Sequence, residues 1–367
     1  MTQSGDLLQQ LADIVQDSAL ADARTVRSAA TIHTQGSYDV LFNSRSNAEF
    51  TLNARLIIAQ QVAHWHDEPR LAEHYATRQI GTQSEPICQS ALVHAERLTF
   101  SPTAARSAHL RELELAGWTT EAIVTLSQLI AFVSFQSRLL RGFRLLSGED
   151  VTANSIGHAV AAAWCTDPFT LRGKPAPTKF TREELKWEPW LPAKPLAEFN
   201  ATERATLEKF GHSDSDYFRL LGHNLPLLEQ RTLADKGIFY TAGGLPRKER
   251  ELAATVASKV NGCIYCASVH ARKAAQLSKQ PDDVQRLIDT APGHVLAAEQ
   301  DARWRAIIDF AASLSTTPPT PHQRQLTTLR ELGFRELELF DLVQSTAFFA
   351  WANRLMLTLG EPFTPIS

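Results

Sequence analysis

The sequence has few cysteines, little net charge and no long uninterrupted apolar run. Four cysteines in 367 residues are too few for a disulfide framework. The formal net charge is -3, with lysine and arginine spread along the chain, so nothing favours nucleic acid or an anionic membrane as a partner. The first thirty residues do not have the pattern of a signal peptide. No run approaches the roughly 18 to 20 apolar residues of a membrane helix. We therefore expect a soluble, cytoplasmic protein.

Apolar residues make up 44% of the chain and charged residues 21%, which is typical of globular proteins. Apolar side chains recur at helical spacing nearly everywhere, for example at Leu252, Val256 and Val260. Alternating patterns typical of strands are scarce. The sequence therefore predicts an all-α fold, and its length fits two domains.

A proline-rich segment and an internal repeat indicate how the chain is divided. Proline at this density blocks helix propagation and predicts a stiff, extended linker at residues 166–196. The segments that begin at Leu110 and Leu326 match when shifted by 216 positions, which places Gly117 on Gly333 and Arg138 on Arg354. Both segments predict a short helix, a glycine stop and a long apolar helix. We predict two tandem domains related by internal duplication, at residues 1–165 and 197–367.

The stretch LPRKERELAATVASKVNGCIYCASVHAR carries the clearest chemistry. Asn261 and Gly262 tolerate the left-handed conformation of a helix C-terminus, so one helix should end there. Cys263 then falls near the start of the next helix, where unpaired N–H groups can lower a cysteine pKa from about 8.5 toward neutrality. The other two cysteines, Cys88 and Cys165, stand alone and are interpreted as buried or incidental.

Spacing brings further groups toward this thiol. Cys263 and Cys266 are separated by three positions, so on a helix they share one face and can close a disulfide. His270 lies one turn further along that face, and Glu251 lies on the preceding helix. A carboxylate, an imidazole and two thiols could thus converge, as in a proton relay beside a nucleophile.

The spacing Glu251, Cys263, Cys266 and His270 resembles the active site of alkylhydroperoxidase D type enzymes, which belong to the carboxymuconolactone decarboxylase superfamily. The segments FTREELKWEPWLP, IFYTAGGLPRKERELAA and NGCIYCASVHARKAA extend the resemblance over nearly all of residues 175–367. The N-terminal 150 or so residues resemble a companion domain of the same superfamily. One departure is Tyr265, where members with a well-defined relay often carry histidine. Tyrosine cannot take a proton as readily as histidine at neutral pH, but it could donate a hydrogen bond to a peroxide.

The resemblance implies a thiol-dependent peroxidase that acts on organic hydroperoxides without a cofactor or metal. Cys266 would be the nucleophile that attacks the peroxide, Cys263 the resolving thiol, and Glu251 and His270 the proton relay. An external dithiol, such as a lipoyl or thioredoxin-like protein, would reduce the resulting disulfide. The superfamily also implies a homo-oligomer.

The N-terminal copy lacks these thiols. Aligning His74 with His270 places Arg55, Asp67 and Arg70 at the positions of Glu251, Cys263 and Cys266. The copy is therefore interpreted as degenerate and kept for assembly, with a separate non-redox pocket as the alternative. The nearby histidines His64 and His66 are interpreted as solvated or capping residues, because no zinc ligand template fits them.

Several alternatives remain for the Cys263–Cys266 pair. The two thiols could serve a general thiol–disulfide oxidoreductase, or they could bind zinc together with His270 and Glu251. A non-peroxidase enzyme of the decarboxylase or lactone type is a further alternative, although that chemistry needs no paired thiols. Both cysteines could also be inert core residues.

Overall fold

Helices dominate the protein, which confirms the predicted all-α class. The computed structural model describes residues 6–43, 49–80, 87–149 and 161–365, apart from the side chains of residues 87 and 88. The side chain of Cys88 therefore lies outside the described part. The helices of the N-terminal half are α1 (Leu7–Leu11), α2 (Ala19–Val26), α3 (Ser28–Phe42), α4 (Leu52–Trp65), α5 (Pro69–Ala76), α6 (Ile87–Phe100), α7 (Ser107–Leu115) and α8 (Thr120–Leu146), with a 3-10 turn at Pro102–Ala104.

The C-terminal half contains a second series of helices and one small sheet. Its helices are α9 (Ala201–Phe210), α10 (Asp216–Leu221), α11 (Leu225–Phe239), α12 (Arg247–Asn261), α13 (Ile264–Ser278), α14 (Pro281–Asp289), α15 (Ala302–Ser315), α16 (Gln323–Glu331) and α17 (Glu336–Thr358), with 3-10 turns at Leu196–Glu198 and Gly222–Asn224. The sheet pairs β1 (Lys186–Pro189) with β2 (Gly360–Phe363) in antiparallel register.

The small sheet was not predicted, since each four-residue strand contains a proline and shows no clear alternation. It ties the predicted linker to the end of α17. Trp187 donates from Nε1 to the carbonyl of Met356 at 3.0 Å. Gly360 lies so close to the Trp187 ring and the backbone of Glu188 that a Cβ would collide with both. The proline-rich segment is therefore packed against the protein here.

The two longest helices, α8 and α17, form the centre of the molecule and pack against each other. Phe143 of α8 stacks on Phe340 of α17 with ring centroids 5.3 Å apart. Trp351 donates from Nε1 to Gln128 Oε1 at 3.1 Å, which satisfies a buried polar group inside this core. Full burial of such an aromatic side chain contributes roughly 1.5–3 kcal/mol, so this helix pair makes a large contribution to stability.

α8 corrects one expectation from the sequence, since by length and composition it is apolar enough to cross a membrane. The most apolar 18-residue window of α8 is entirely buried inside the protein. Burial on all sides explains this composition, because a helix surrounded by other helices has no polar face. No other helix in the described ranges has this combination of length and hydropathy.

A buried ion cluster also joins the two halves. Arg27, between α2 and α3, donates to both carboxylate oxygens of Asp341 on α17, at 2.7 and 2.9 Å. Arg250 of α12 donates to the same carboxylate at 3.0 Å. The three side chains are at most 2% exposed, so the charges are paired away from water. In addition, α3 packs along α11.

Helices follow in a matching order in the two halves. α16 and α17 begin 216 residues after α7 and α8, which is the shift that the sequence repeat predicts. Gly117 and Gly333 both adopt a positive φ, of 95° and 87°, between the paired helices. This agreement concerns the repeated segment, while duplication of whole domains and the domain boundaries stay predictions.

Candidate redox site

The turn between α12 and α13 positions both cysteines. α12 ends at Asn261, and Gly262 adopts the left-handed conformation with φ 78°. Cys263 is then the N-cap of α13, as the sequence predicts, and its N–H donates to the carbonyl of Ser258 at 2.9 Å. Only glycine suits position 262, because a Cβ would collide with Thr103 and lie 3.1 Å from the carbonyl oxygen of Ala163.

Cys263 and Cys266 are both free thiols and nearly inaccessible to solvent, at 1% and 5% exposure. Burial raises the pKa of Cys266, but a hydrogen bond from Cys263 and the charge of His270 outweigh it, so that this pKa lies below its usual value. Burial and the neighbouring Cys266 raise the pKa of Cys263 well above its usual value. The pair therefore favours a thiolate on Cys266, with Cys263 as the thiol that donates to it.

Asn353 of α17 also stabilises the thiolate, and the sequence reading did not identify it. Its amide Nδ2 donates to Ser258 Oγ at 3.0 Å, and its Oδ1 accepts from Asn261 Nδ2 at 3.1 Å. Hydrogen bonds from the Asn353 side chain lower the pKa of Cys266 and act in the same direction on Cys263. The side chain is fully buried, so its orientation depends on these hydrogen bonds.

Glu251 and His270 are in direct contact. His270 Nδ1 donates to Glu251 Oε2 at 2.6 Å, and Arg247 Nε donates to Glu251 Oε1 at 3.0 Å. Burial lowers the pKa of His270, but the hydrogen bond and charge of Glu251 outweigh it and raise the pKa above its usual value. Burial raises the pKa of Glu251, whereas His270 and Arg247 lower it to below its usual value. The carboxylate thus stabilises a protonated imidazole beside Cys266.

A cavity of about 230 Å³ contains the reactive groups. Cys266, His270, Glu251 and Tyr265 all line it. Burial and the two cysteines raise the pKa of Tyr265, so its hydroxyl remains a hydrogen-bond donor at neutral pH. The rest of the wall is mostly aromatic, with contributions from Tyr217, Phe218, Phe239, Tyr240, Phe348 and Phe349.

Two charged residues of α11, Arg231 and Asp235, complete this cavity. Arg231 is 6% exposed and its charge lowers the pKa of Cys266. Burial raises the pKa of Asp235, and the charges of Arg231 and His270 oppose this. The sequence reading missed both residues, because nothing in the spacing of α11 distinguishes them from solvent-facing charges.

The aromatic stretch of α17 divides between two environments. Trp351 lies in the core, where its ring is in contact with Phe135 of α8. Phe348 and Phe349 are also buried but line the cavity, and Phe349 packs edge-on against the His270 ring with centroids 4.4 Å apart. These two rings give the cavity part of its apolar wall.

Cys263 opens onto a different, smaller cavity of about 80 Å³. Tyr265 lines both cavities and therefore stands between them. Cys165 also lines the small cavity, where its Sγ donates to Asp167 Oδ2 at 3.2 Å. Burial raises the pKa of Cys165, so this half-buried thiol stays protonated at neutral pH. The lone cysteine thus lies nearer to the redox pair than its sequence position suggests.

Within the described residues, no three histidine, cysteine, aspartate or glutamate side chains form a metal-binding group. Glu251 and His270 direct their polar atoms at each other, and interaction with Cys266 contributes to the raised pKa of Cys263. The geometry therefore gives no support to the zinc alternative.

Comparison with known proteins assigns the segment that contains this site. Residues 226–312 match the model of the carboxymuconolactone decarboxylase family. The match covers about a quarter of the 367-residue chain. The matched segment runs from α11 to most of α15 and includes all five site residues predicted from the sequence. Asn353 lies outside the matched range. A comparison with curated proteins found no match.

Among solved structures, the chain is similar to an uncharacterized peroxidase-related protein from Silicibacter sp. TM1040. The two are 25% identical over 48% of this chain and 94% of that chain, with a TM-score of 0.38. The chain is also similar to the alkylhydroperoxidase AhpD core of an uncharacterized peroxidase-related protein from Ralstonia eutropha JMP134. That match has 25% identity, covers 45% of this chain and 86% of that chain, and has a TM-score of 0.38.

The N-terminal positions aligned with the predicted redox residues make structural contacts. Arg55 is buried and donates to the carbonyls of Leu41 and Phe50, at 3.1 and 3.0 Å. His74 Nε2 lies 2.7 Å from the hydroxyl of Tyr38. None of these contacts involves a nucleophile.

The remaining aligned positions lie at the α4–α5 turn and on α5. Asp67 has a positive φ of 55° at this turn, and Arg70 donates to Asp13 at 2.8 Å. The nearby His66 is fully buried, so it is not solvated. It is the C-cap residue of α4, and its Nδ1 donates to the carbonyl of Val62 in the last turn at 2.8 Å, which confirms the capping interpretation.

Proposed function

We propose that the protein is a thiol-dependent peroxidase that reduces organic hydroperoxides with the Cys263–Cys266 pair. The observation that carries the proposal is the thiolate-favouring environment of Cys266, inside an apolar cavity and beside a protonatable His270. The match of residues 226–312 to the carboxymuconolactone decarboxylase family supports an enzymatic role for this segment, while the peroxidase proposal rests on the arrangement of the side chains.

In the first step, the Cys266 thiolate attacks one oxygen of the peroxide and the O–O bond breaks. Cys266 becomes a sulfenic acid, and the departing alkoxide receives a proton from His270 and leaves as an alcohol. Glu251 keeps the imidazole oriented and favours its protonated form before the transfer. The hydroxyl of Tyr265 lies on the cavity wall, where it can donate a hydrogen bond to a peroxide oxygen.

In the second step, the Cys263 sulfur attacks the sulfenic sulfur, so that a disulfide forms and water leaves. We propose that an external dithiol then reduces this disulfide by two exchange reactions and is itself oxidised to a disulfide. Cys263 opens onto the small cavity, away from the peroxide-binding cavity, which supports exchange at its sulfur. A lipoyl or thioredoxin-like protein has the required dithiol.

The cavity also has an outlet. Glu251 and His270 line both the inner cavity and an open surface cleft of about 950 Å³. Arg247 and Arg272 border this cleft, and Tyr240 is shared by the two spaces. We propose that hydroperoxides reach Cys266 from this cleft. A homo-oligomeric assembly and a cytoplasmic location remain proposals from the sequence.

The test is stopped-flow mixing of reduced protein with cumene hydroperoxide or hydrogen peroxide, with thiols counted before and after. We expect wild type to lose two thiols rapidly, Cys263→Ser to accumulate a sulfenic acid that a dimedone probe captures, and Cys266→Ser to remain unreacted. If peroxide leaves the thiols intact while a disulfide-bonded protein oxidises them, the general oxidoreductase replaces this proposal. Thiols inert to both reagents would favour the non-peroxidase alternative.

A further inference from the structure

Two arginines are buried where the halves meet, without a carboxylate partner among the described residues. Arg138 of α8 and Arg354 of α17 occupy equivalent positions in the sequence repeat, and they are 0% and 1% exposed. Burial lowers the pKa of both guanidinium groups, and no acidic side chain in the described part of the chain opposes it. Burying a positive charge is costly unless opposite charge or several acceptors surround it.

Helix ends supply part of the missing negative charge. Arg138 Nη2 donates to the carbonyls of Ser315 and Thr316, at 3.1 and 2.8 Å, where α15 ends. Arg354 Nη2 donates to the carbonyl of Thr99 at 3.1 Å, where α6 ends. Each arginine thus caps a helix of the other half. Because a helix C-terminus carries about half a negative charge, about one positive charge remains uncompensated over the pair.

Several hydrogen-bonding groups around the arginines are unused. Nε of Arg138 and Arg354 and Oγ1 of Thr99 are buried without a protein partner in the described chain. Thr317 Oγ1 accepts from Arg138 and Arg354, at 2.9 and 3.2 Å, and its own hydrogen remains available to a further acceptor. The surplus is therefore in donors, which is the opposite of what a cation would need.

A cavity of about 180 Å³ adjoins these donors, and Arg354, Thr99, Thr316, Thr317 and Asn261 line it. We propose that this cavity is a binding site for a small oxyanion such as inorganic phosphate. The anion would accept hydrogen bonds from the Arg354 guanidinium and from the hydroxyls of Thr99 and Thr317, and its charge would balance the arginine pair. The volume is sufficient for a tetrahedral oxyanion with accompanying water.

The state of a neighbouring histidine agrees with a positive potential here. His66 is fully buried, and its Nε2 has no partner among the described residues. Burial lowers its pKa well below the usual value, and the charges of Arg138, Arg354 and Arg141 lower it further. Burial and the three guanidinium charges therefore both favour a neutral imidazole.

The site is separate from the proposed peroxidase cavity, and none of its ligands belongs to the redox residues. The test uses the full-length protein dialysed free of phosphate, with isothermal titration and thermal unfolding at constant ionic strength set by chloride. We expect saturable binding of one phosphate per chain and a rise in Tm that saturates with it. Arg354→Gln and Thr99→Val should weaken binding about tenfold or more, since each removes at least one hydrogen bond to the anion.

Thr99→Val is the decisive variant, because it retains both arginines if Arg354→Gln fails to fold. Thr358→Val serves as the matched control. Thr358 is equally buried on α17 and donates to the carbonyl of Arg354 at 2.6 Å, but it does not line the cavity. The Thr358→Val protein should bind phosphate as wild type does. No saturable binding beyond the chloride control, as expected if the cavity holds only water, would overturn the proposal. Undiminished binding by Thr99→Val and Arg354→Gln would also overturn it.

Discussion

Replacing Glu251 by glutamine measures how strongly a buried carboxylate affects the pKa of Cys266. Glu251 is 3% exposed and accepts from His270 Nδ1 at 2.6 Å. Its hydrogen bond and charge raise the pKa of His270 against the effect of burial. The charge of protonated His270 in turn lowers the pKa of Cys266. Glutamine keeps the size and an acceptor but removes the negative charge, so the pKa of His270 should fall and that of Cys266 should rise.

The magnitude follows from the contact that changes. A hydrogen bond to a charged group contributes about 1.5–3 kcal/mol, whereas a neutral one contributes about 0.5–1.5 kcal/mol. The variant therefore loses on the order of 1 to 1.5 kcal/mol of interaction with the imidazolium. If the transition state needs that cation, the rate at neutral pH should fall about tenfold, since about 1.4 kcal/mol corresponds to a factor of ten.

The assay is the second-order reaction of reduced protein with cumene hydroperoxide, followed from acidic to alkaline pH alongside the thiolate absorbance. Glu249→Gln is the matched control, because Glu249 is as buried on the same helix but accepts from Arg303, at 2.7 and 2.8 Å, and not from His270. The control should react as wild type does. A wild-type rate and an unchanged pH profile in Glu251→Gln would refute this reasoning.

Three further predictions concern stability and are measured by urea unfolding. The pKa of His270 is raised above 6.5, so its contribution to folding is complete below about pH 6.5 and is lost as pH rises through the folded-state pKa. His270→Gln should therefore lower the free energy of unfolding more in mildly acidic than in alkaline buffer. An equal loss in both buffers would contradict this prediction. Gly262→Ala should destabilise the protein more than Gly211→Ala. Both variants replace a glycine of positive φ, which costs about 1–2 kcal/mol, but only the Cβ at position 262 collides with Thr103. Equal unfolding midpoints for the two variants would argue against that contact. Asp341→Asn should lower the free energy of unfolding by about 3–5 kcal/mol, because two buried arginines lose their counter-charge. A loss below about 1 kcal/mol would mean that backbone carbonyls alone stabilise the two guanidinium groups.

The redox turn could be predicted because its geometry is local. A helix stop at Asn261 and Gly262 determines where the next helix begins, and three- and four-residue spacing then determines which side chains share a face. Glu251 could be added because a tight turn forces α12 and α13 to pack together. The first residue of α12 is less predictable: Pro246 is the N-cap, and local patterns do not resolve a helix start to a single residue.

The remaining groups of the site depend on contacts between distant segments. Asn353 lies on α17 and Asp235 on α11, and neither has a motif that distinguishes it from other polar residues in a helix. Their proximity to the thiols results from tertiary packing, which sequence periodicity describes only as an apolar face. The division of the α17 aromatic stretch between core and cavity has the same origin, since periodicity cannot distinguish a filled interior from a lined one.

Thr103, which lies against Gly262, belongs to the same polypeptide as the thiols. Two separate subunits would have to find each other, and their contact would weaken as the protein is diluted. Covalent linkage replaces that encounter with an effective local concentration on the order of millimolar. The turn that holds Cys263 should therefore keep its N-terminal support at any protein concentration.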